Sequence, residues 1–253
     1  MVQEFQRDVA IVIPCYNEER RLPIDKYRLF LAKNTTTALA FVDDGSTDGT
    51  IHLINHIRHG YEHAVTLLRQ PSNKGKGEAV RDGMLDALGR KFKYVGFFDA
   101  DLATPLEAVS EFRAVLDTEP QIAMVIGARV RLLGREIERP AIRHYAGRVF
   151  ATAVSVLLRL PIYDSQCGAK LFRATPELDQ MLGEPFISRW MFDVEIVARL
   201  MRSRRTTGGE TVERSIHELP LRRWNDVSGS KLRPSDFITA GWDLLRIYRR
   251  YLR

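Results

Sequence analysis

The sequence predicts an α/β fold in which a mixed, mainly parallel sheet is flanked by helices. Short apolar runs recur along the first half of the chain and alternate with segments of helical character. The runs are continuously hydrophobic, which is typical of strands that are covered on both faces. Polar and acidic clusters follow several runs, where the chain leaves the carboxyl end of a parallel sheet. Together these observations favour a relative of the nucleotide-binding folds.

The first half of the chain alternates strands with helices. Strands are expected at 9–13, 38–42, 64–68, 95–98 and 124–128, and helices at 24–33, 50–58, 77–89 and 104–116. The last of these helices should begin at 104–107, because Thr104, Pro105 and Glu107 supply a capping residue, a first-turn proline and a third-position glutamate. This alternation predicts a parallel sheet with flanking helices, and right-handed crossovers between its strands make it a relative of the nucleotide-binding folds.

The second half is expected to be richer in helix. Helices are predicted at 140–158, from about 189 to 201, and from 234 to the end, with a strand at 211–218 and a polar loop at 224–232. The final helix is amphipathic, because apolar residues recur at three- and four-residue steps between arginines. These apolar residues are Ile238, Trp242, Leu245, Tyr248 and Leu252. Such a helix either packs on the sheet or lies on an anionic bilayer.

Composition indicates a folded protein with an anionic partner. The 253 residues are 45% hydrophobic, which fits one large domain over residues 1–253. A formal charge of +6 favours phosphate, nucleotide, nucleic acid or a lipid surface as partner. Cys15 and Cys167 lie far apart without metal-ligand spacing, which indicates a reducing compartment and packed thiols.

No targeting or membrane-spanning segment is expected. The amino terminus has one short apolar run, which ends at Pro14 and is not preceded by a basic region, so it is not a signal peptide. The most apolar later run, 150–158, is about half of the roughly twenty residues that cross a bilayer. We therefore expect a cytoplasmic protein that attaches peripherally to the cytoplasmic face of the membrane.

Three polar clusters, at 16–18, 43–48 and 99–101, follow strands and should converge on one crevice. Asp99 and Asp101 are hard oxygen ligands one residue apart, which suits Mg²⁺ or Mn²⁺. Residues 73–77 bring glycines and lysines to a helix amino end, where free N–H groups favour anions.

After residue 128 six arginines cluster. They are interpreted either as solvated helix surface or, for two or three of them, as phosphate ligands. These are Arg129, Arg131, Arg135, Arg139, Arg143 and Arg148.

Four motifs, in their order along the chain, resemble the family 2 glycosyltransferases, which have the GT-A nucleotide-sugar fold. They are residues 13–18 (IPCYNE), 42–48 (VDDGSTD), 73–77 (NKGKG) and 99–101 (DAD). The second half resembles the dolichyl-phosphate β-glucosyltransferases of that family at 164–172 (DSQCGAKLF), 189–195 (RWMFDVE), 229–232 (GSKL) and 243–247 (DLLRI). The resemblance covers about residues 9–252. It implies a nucleotide-sugar-binding half, 1–128, and an acceptor-binding half, 129–253.

The resemblance also implies roles for individual residues. The base and ribose of the nucleotide would be held by Pro14, Tyr16, Asn17, Glu18 and Asp44, with Lys76 close by. Asp99 and Asp101 would bind a divalent cation on the donor diphosphate, and Arg129 and Arg143 would lie near the acceptor phosphate. Related mannosyltransferases often have glutamine two residues past the second aspartate. This chain has Ala103, which argues against mannose.

The implied reaction is inverting transfer of a hexose, with UDP-glucose as the expected donor, to a polyprenyl phosphate such as dolichyl or undecaprenyl phosphate. A transferase with a saccharide or other hydroxyl acceptor, or with GDP-mannose as donor, is the alternative. A hydroxyl needs a general base, for which Asp193 and Asp164 are candidates, whereas a lipid phosphate is already anionic and needs positioning by Arg129 and Arg143. A nucleic-acid-binding module is disfavoured, because the basic run lacks a series of interleaved aromatic platforms and the crevice holds a full set of carboxylates.

Overall fold

A mixed sheet of seven strands runs through the part of the chain that the structure describes. The structure is a computed structural model, and it describes residues 7–138, 141–208, 210–227 and 234–253. The side chains of residues 141–146 and 234–238 lie outside this description. The strand order is β3-β2-β1-β4-β7-β5-β8, with a small separate pair, β6-β9.

The strands are β1 Val9–Cys15, β2 Thr37–Asp43, β3 Val65–Arg69, β4 Tyr94–Phe98, β5 Met124–Ala128, β6 Glu136–Glu138, β7 Ala169–Arg173, β8 Ile216–Pro220 and β9 Arg223–Asn225. The helices are α1 Ile24–Lys33, α2 Thr50–Arg58, α3 Lys76–Gly89, α4 Ala108–Thr118, α5 Ala141–Leu158, α6 Pro176–Leu182, α7 Phe192–Thr207, α8 Val212–Ser215 and α9 Pro234–Ile247. A π-helical turn, Tyr248–Leu252, follows α9.

The sheet confirms the predicted fold class. Strand β1 pairs in parallel with β2 and β4, β2 pairs in parallel with β3, and β5 pairs in parallel with β8. Strand β7 is antiparallel to both β4 and β5. It comes from the second half of the chain and lies between two strands of the first half, so the two halves share one sheet.

The continuous apolar runs are strands that are buried along their whole length, as predicted for β1, β4 and β5. Helix α3 packs against β1, β2 and β4. A Cβ atom at Gly83 of this helix would lie 2.5 Å from Val12 Cγ1 and 2.8 Å from Val42 Cγ2. Glycine at this position therefore lets the helix lie directly on the two strands that lead to the polar clusters.

Three sequence expectations differ from the structure. Helix α4 begins at Ala108 instead of 104, because residues 104–107 form a turn in which the Ala108 N–H donates to Pro105 O at 3.1 Å. The strand expected at 211–218 begins only at Ile216, since 212–215 form the short helix α8. Strands β6, β7 and β9 and helix α6 were not predicted. Helix α6 did carry a signal, because Thr175 caps it and Pro176 occupies its first turn.

The end of the chain is anchored on α7 by a buried charged cluster. The Glu195 carboxylate accepts hydrogen bonds from Arg199 Nε (3.1 Å) and Nη2 (2.7 Å), from the Ile187 N–H (2.8 Å) and from Tyr251 Oη (3.0 Å). Arg199 also donates to the carbonyl oxygens of Met181 and Pro185, both at 2.6 Å. Helix α9 and the turn that follows it pack on α7, where the sequence suggested packing on the sheet, and the alternative of contact with a bilayer stays a prediction.

We expect Arg199→Met to lower the free energy of unfolding by about 3–5 kcal/mol, because it leaves the Glu195 charge buried and unpaired. Urea denaturation followed by circular dichroism measures this change. Arg205→Met on the same helix is the matched control: Arg205 is exposed, and its replacement should change stability by less than about 0.5 kcal/mol. Equal effects of the two substitutions would contradict a central role for the buried cluster.

Candidate active site

The first two polar clusters meet at the carboxyl ends of β1 and β2. The Asn17 N–H donates to Ser46 Oγ at 3.0 Å, and Asn17 Oδ1 accepts the Thr47 N–H at 2.9 Å. The Glu18 N–H donates to Thr50 Oγ1 at 2.7 Å. Asn17 adopts the left-handed conformation, with φ +50°, which asparagine tolerates better than most residues. These bonds confirm that the clusters converge.

Asp44 connects this region to the loop before α3. Its Oδ1 accepts the Lys74 N–H at 2.6 Å and its Oδ2 accepts the Gly75 N–H at 2.9 Å. Burial raises the pKa of Asp44, and the two backbone hydrogen bonds oppose that shift only in part. Gly45 is essential to the approach of the two loops, because its φ is +71° and a Cβ there would lie 2.7 Å from Ser72 C. Asp44 therefore fixes the loop that carries Lys76.

The third cluster, at the end of β4, is neutralised by two cations. Lys76 Nζ lies 2.5 Å from Asp99 Oδ1, and Arg21 Nη2 forms an ion pair with Asp101 Oδ2. Asp101 Oδ1 accepts the Ala103 N–H at 3.0 Å. Burial disfavours the Lys76 cation, but the charges of Asp99 and Asp193 outweigh this effect and raise its pKa. Both carboxylates thus have cationic neighbours supplied by other segments.

The donor set at this strand end fits a hard divalent cation. Within the described ranges, no three His, Cys, Asp or Glu side chains are grouped as metal ligands. Mg²⁺ and Mn²⁺ nevertheless bind through one or two carboxylates when water and substrate phosphate complete their shell. The presence of two positively charged groups against Asp99 and Asp101 shows that this position already stabilises cations. These two residues would hold the metal.

Gly168 sets the position of Asp99. The Asp99 N–H donates to Gly168 O at 3.0 Å, and a Cβ atom at Gly168 would lie 1.8 Å from Asp99 Oδ2. Any side chain at 168 would therefore displace the carboxylate. Sequence reasoning missed this residue, although it stands in the 164–172 motif.

A narrow arginine-lined recess borders the segment 163–166, just before Gly168. Arg129 forms a two-point contact with Asp164, from Nε to Oδ2 and from Nη2 to Oδ1, both at 2.7 Å. The Asp164 charge overcomes the effect of burial and raises the pKa of Arg129, so that its guanidinium stays charged. Arg148 stacks on the Tyr163 ring at 3.7 Å and donates to Tyr163 O at 2.8 Å. Arg129 and Arg148 both line the recess, which has a volume of about 30 Å³.

Asp193 forms an ion pair with a buried lysine. Lys170 on β7 is fully buried, and its Nζ forms an ion pair with Asp193 Oδ1 and donates to Cys167 O at 2.7 Å. Asp193 itself is 4% exposed. Its catalytic role stays a prediction, and its negative charge also helps to raise the pKa of Lys76.

The other predicted residues lie as follows. Pro14 is buried in β1, and Tyr16 follows that strand with 37% of its surface exposed. Arg143 belongs to α5, but its side chain lies outside the described residues. Arg21 and Lys170 were missed, because a lone arginine in a loop and a lysine in an unpredicted strand carry no local signal.

Sequence comparison places these residues in a known family profile. The profile of glycosyl transferase family 2 matches residues 10–177. The dolichyl-phosphate β-glucosyltransferase of Drosophila melanogaster is 32% identical over 267 residues, which cover 97% of this chain and 76% of that protein. The enzyme of the same name from Saccharomyces cerevisiae is 32% identical over 269 residues, which cover 96% and 75%.

Solved structures share the fold. Glucosyl-3-phosphoglycerate synthase from Mycobacterium tuberculosis, in complex with Mn²⁺, UDP and glucosyl-3-phosphoglycerate, matches with a TM-score of 0.61 and 20% identity over 95% of this chain and 77% of that chain. A mannosyltransferase from Pyrobaculum calidifontis, in complex with GDP-mannose and Mn²⁺, matches with a TM-score of 0.61 and 19% identity over 98% and 65%. Both are GT-A proteins, and at this identity they support the fold alone.

We expect neither cysteine to react with a thiol reagent in the folded protein at pH 8. Both thiols are buried, and burial raises the pKa of Cys167 to about 11, so that it is protonated at this pH. Titration with dithionitrobenzoate should detect no thiol before denaturation and two after it. Rapid modification of native Cys167 would contradict the view that it is a packed thiol.

Proposed function

The chain belongs to glycosyl transferase family 2, and we propose that this glycosyltransferase moves glucose from UDP-glucose to a polyprenyl phosphate with inversion. Relatives that carry the name dolichyl-phosphate β-glucosyltransferase support this assignment, because they match more than nine-tenths of the chain. In the reaction an acceptor phosphate oxygen attacks the anomeric carbon of the sugar. The bond from that carbon to the diphosphate breaks, and UDP leaves.

The leaving group is accommodated by the carboxyl ends of β1, β2 and β4. Tyr16, Glu18 and Asp44 are proposed to contact the nucleoside, and Asp99 and Asp101 to hold a divalent cation. The cation supplies Lewis-acid stabilisation to the departing diphosphate when it is bound. Lys76 adds positive charge beside it, and such fixed charges lower the barrier when they act more strongly on the transition state than on the ground state.

The ion pairing of the two candidate bases supports the choice of acceptor. A sugar hydroxyl would need Asp164 or Asp193 to accept its proton. Each carboxylate is already paired, Asp164 with Arg129 and Asp193 with the buried Lys170. The oxygens that face these cations already accept hydrogen bonds from them, so they are less available to a hydroxyl proton. This pairing favours an acceptor that is already anionic, which is the property of a phosphate ester.

The recess lined by Arg129 and Arg148 offers positive charge to such an acceptor. Arg129 and Arg148 line it, and each keeps N–H groups beyond those that it donates to Asp164 or to Tyr163 O, so both guanidinium groups can donate to phosphoryl oxygens. The segment 164–168 joins the recess to the donor site, because Asp164 contacts Arg129 and Gly168 touches Asp99. Phosphate bound there would therefore lie next to the sugar.

Contact with an anionic membrane surface would bring the active site close to a lipid acceptor. In α9 and the turn that follows it, one apolar stripe is buried against α7, and it includes Leu244, Ile247 and Tyr251. Trp242 is 64% exposed on another side, near exposed arginines. Exposed Leu132 and Leu133 stand between Arg131 and Arg135, which is a further apolar tip with basic flanks. No helix in the described ranges has the length and hydrophobicity that crossing a bilayer requires.

The proposed function is tested by a panel of donors and acceptors. UDP-glucose, UDP-galactose, UDP-N-acetylglucosamine and GDP-mannose are each incubated with a short polyprenyl phosphate or with phosphoglyceric acid, with and without Mn²⁺, and products are identified by mass. We expect a hexosyl polyprenyl phosphate from UDP-glucose in the presence of Mn²⁺. Product from phosphoglyceric acid alone would instead indicate a soluble acceptor, and no lipid product under any condition would reject the proposal.

We expect the double variant Trp242→Ser, Arg249→Gln to float less with vesicles that contain phosphatidylglycerol. The substitutions remove an interfacial aromatic and a basic group, which together favour an anionic surface. Flotation is compared with neutral phosphatidylcholine vesicles, to which wild type should bind weakly. The matched control is Leu29→Ser, Arg58→Gln on α1 and α2, which also removes one exposed apolar and one exposed basic side chain, far along the chain from α9. Equal flotation of all three proteins would contradict a contact through this helix.

A further inference from the structure

The two carboxylates proposed to bind metal are each held by a different segment of the chain. Lys76, the first residue of α3, lies with its Nζ 2.5 Å from Asp99 Oδ1. Arg21, in the turn after β1, forms an ion pair through Nη2 with Asp101 Oδ2. Neither contact is local, since Arg21 and Asp101 are 80 residues apart and Lys76 and Asp99 are 23 apart.

A divalent cation and these side chains compete for the same oxygens. The second oxygen of Asp101 already accepts the Ala103 N–H at 3.0 Å. The second oxygen of Asp99 faces Gly168, where the space for a Cβ atom is closed. Like charges a few ångströms apart repel strongly where water is restricted. A divalent ion can bind both carboxylates only if Lys76 and Arg21 move away from them.

A neighbouring ion pair shows which contacts can exchange. Lys170 and Asp193 form the same kind of pair, but their side chains are 0% and 6% exposed. The Lys76 and Asp99 side chains are each 36% exposed, so the Lys76 ammonium can leave for solvent or for a ligand. Lys170 has no such route, because leaving its partner would strand two buried charges. The site therefore combines a fixed lysine, Lys170, with a releasable one, Lys76.

The pair of Arg21 and Asp101 lies between these two cases, because its side chains are 20% and 12% exposed. Arg21 also has a second carboxylate within reach, since its Nε lies 3.7 Å from Glu18 Oε2. Arg21 can therefore leave Asp101 without losing every anionic partner.

We propose that Lys76 and Arg21 are exchangeable counterions of Asp99 and Asp101, which suppress binding of a free divalent cation and release the carboxylates when cation and nucleotide arrive together. This inference rests on the proposed function for the identity of the ligand. The displaced positive charges become available to the diphosphate oxygens. Metal and nucleotide affinity are thereby coupled, because each weakens the hold of the counterions on the carboxylates.

The test measures Mn²⁺ binding to the full chain without nucleotide, at pH 7.5, by electron paramagnetic resonance of free Mn²⁺. We expect Lys76→Met and Arg21→Met each to bind Mn²⁺ about tenfold more tightly than wild type, since each removes one competing charge. The same variants should bind UDP more weakly at saturating Mn²⁺, measured by calorimetry. A merely structural role for the two cations would not move the two affinities in opposite directions.

Matched controls lie beside each residue. Lys74→Met in the same loop and Arg20→Met in the same turn should bind Mn²⁺ as wild type does, and the conservative variants Lys76→Arg and Arg21→Lys should stay close to wild type. Asp99→Asn should lose the site. Unchanged or weaker Mn²⁺ binding by folded Lys76→Met and Arg21→Met would overturn the inference, as would unchanged binding by Asp99→Asn. Because no sugar or acceptor is present, failure of the proposed reaction would leave this result untouched.

Discussion

Negative charge at the end of β4 has to be balanced, and the segments around the site are arranged to do so. Lys76 brings the start of α3 to Asp99, and Arg21 brings the turn after β1 to Asp101. Opposite charges that are partly shielded from water attract strongly, so each cation also fixes the loop that carries it. Behind them Lys170 fixes the start of α7 by the same means. Charge balance thus determines which loops meet at this edge of the sheet.

Short sequence patterns predicted those parts of the fold that depend on residues close together in the chain. Continuous apolar runs identified β1, β4 and β5, because only strands covered on both faces tolerate such sequences. The position of Asp99 and Asp101 followed from the same rule, since polar residues after a buried strand must lie at its carboxyl end. The convergence of 16–18 with 43–48 followed from parallel strand order. These inferences need no knowledge of distant contacts.

The remainder depends on contacts between residues far apart in sequence. Strand β7 is antiparallel to its neighbours in a mainly parallel sheet. Its five residues include the buried Lys170, and a lysine argues against a buried strand unless its partner Asp193 is known. Gly168 looks like an ordinary loop glycine, and only the position of Asp99 shows that no side chain fits there. The predicted start of α4 was wrong, because residues 104–107 match a helix-capping pattern but form a turn in which Thr104 is buried.

The place of β7 in the sheet also affects the order in which the chain can assemble. In the sheet, β7 lies between β4 and β5. During translation, however, β5 is synthesised well before β7. Until 169–173 have been synthesised, the nascent chain can pair β1 to β4, but β5 has no adjacent strand and β4 keeps an open edge. Open edges promote pairing between chains. Synthesis of residues 169–173 therefore closes the β4 edge and gives β5 its first neighbour, and we expect the nascent chain to be most prone to aggregation before that point.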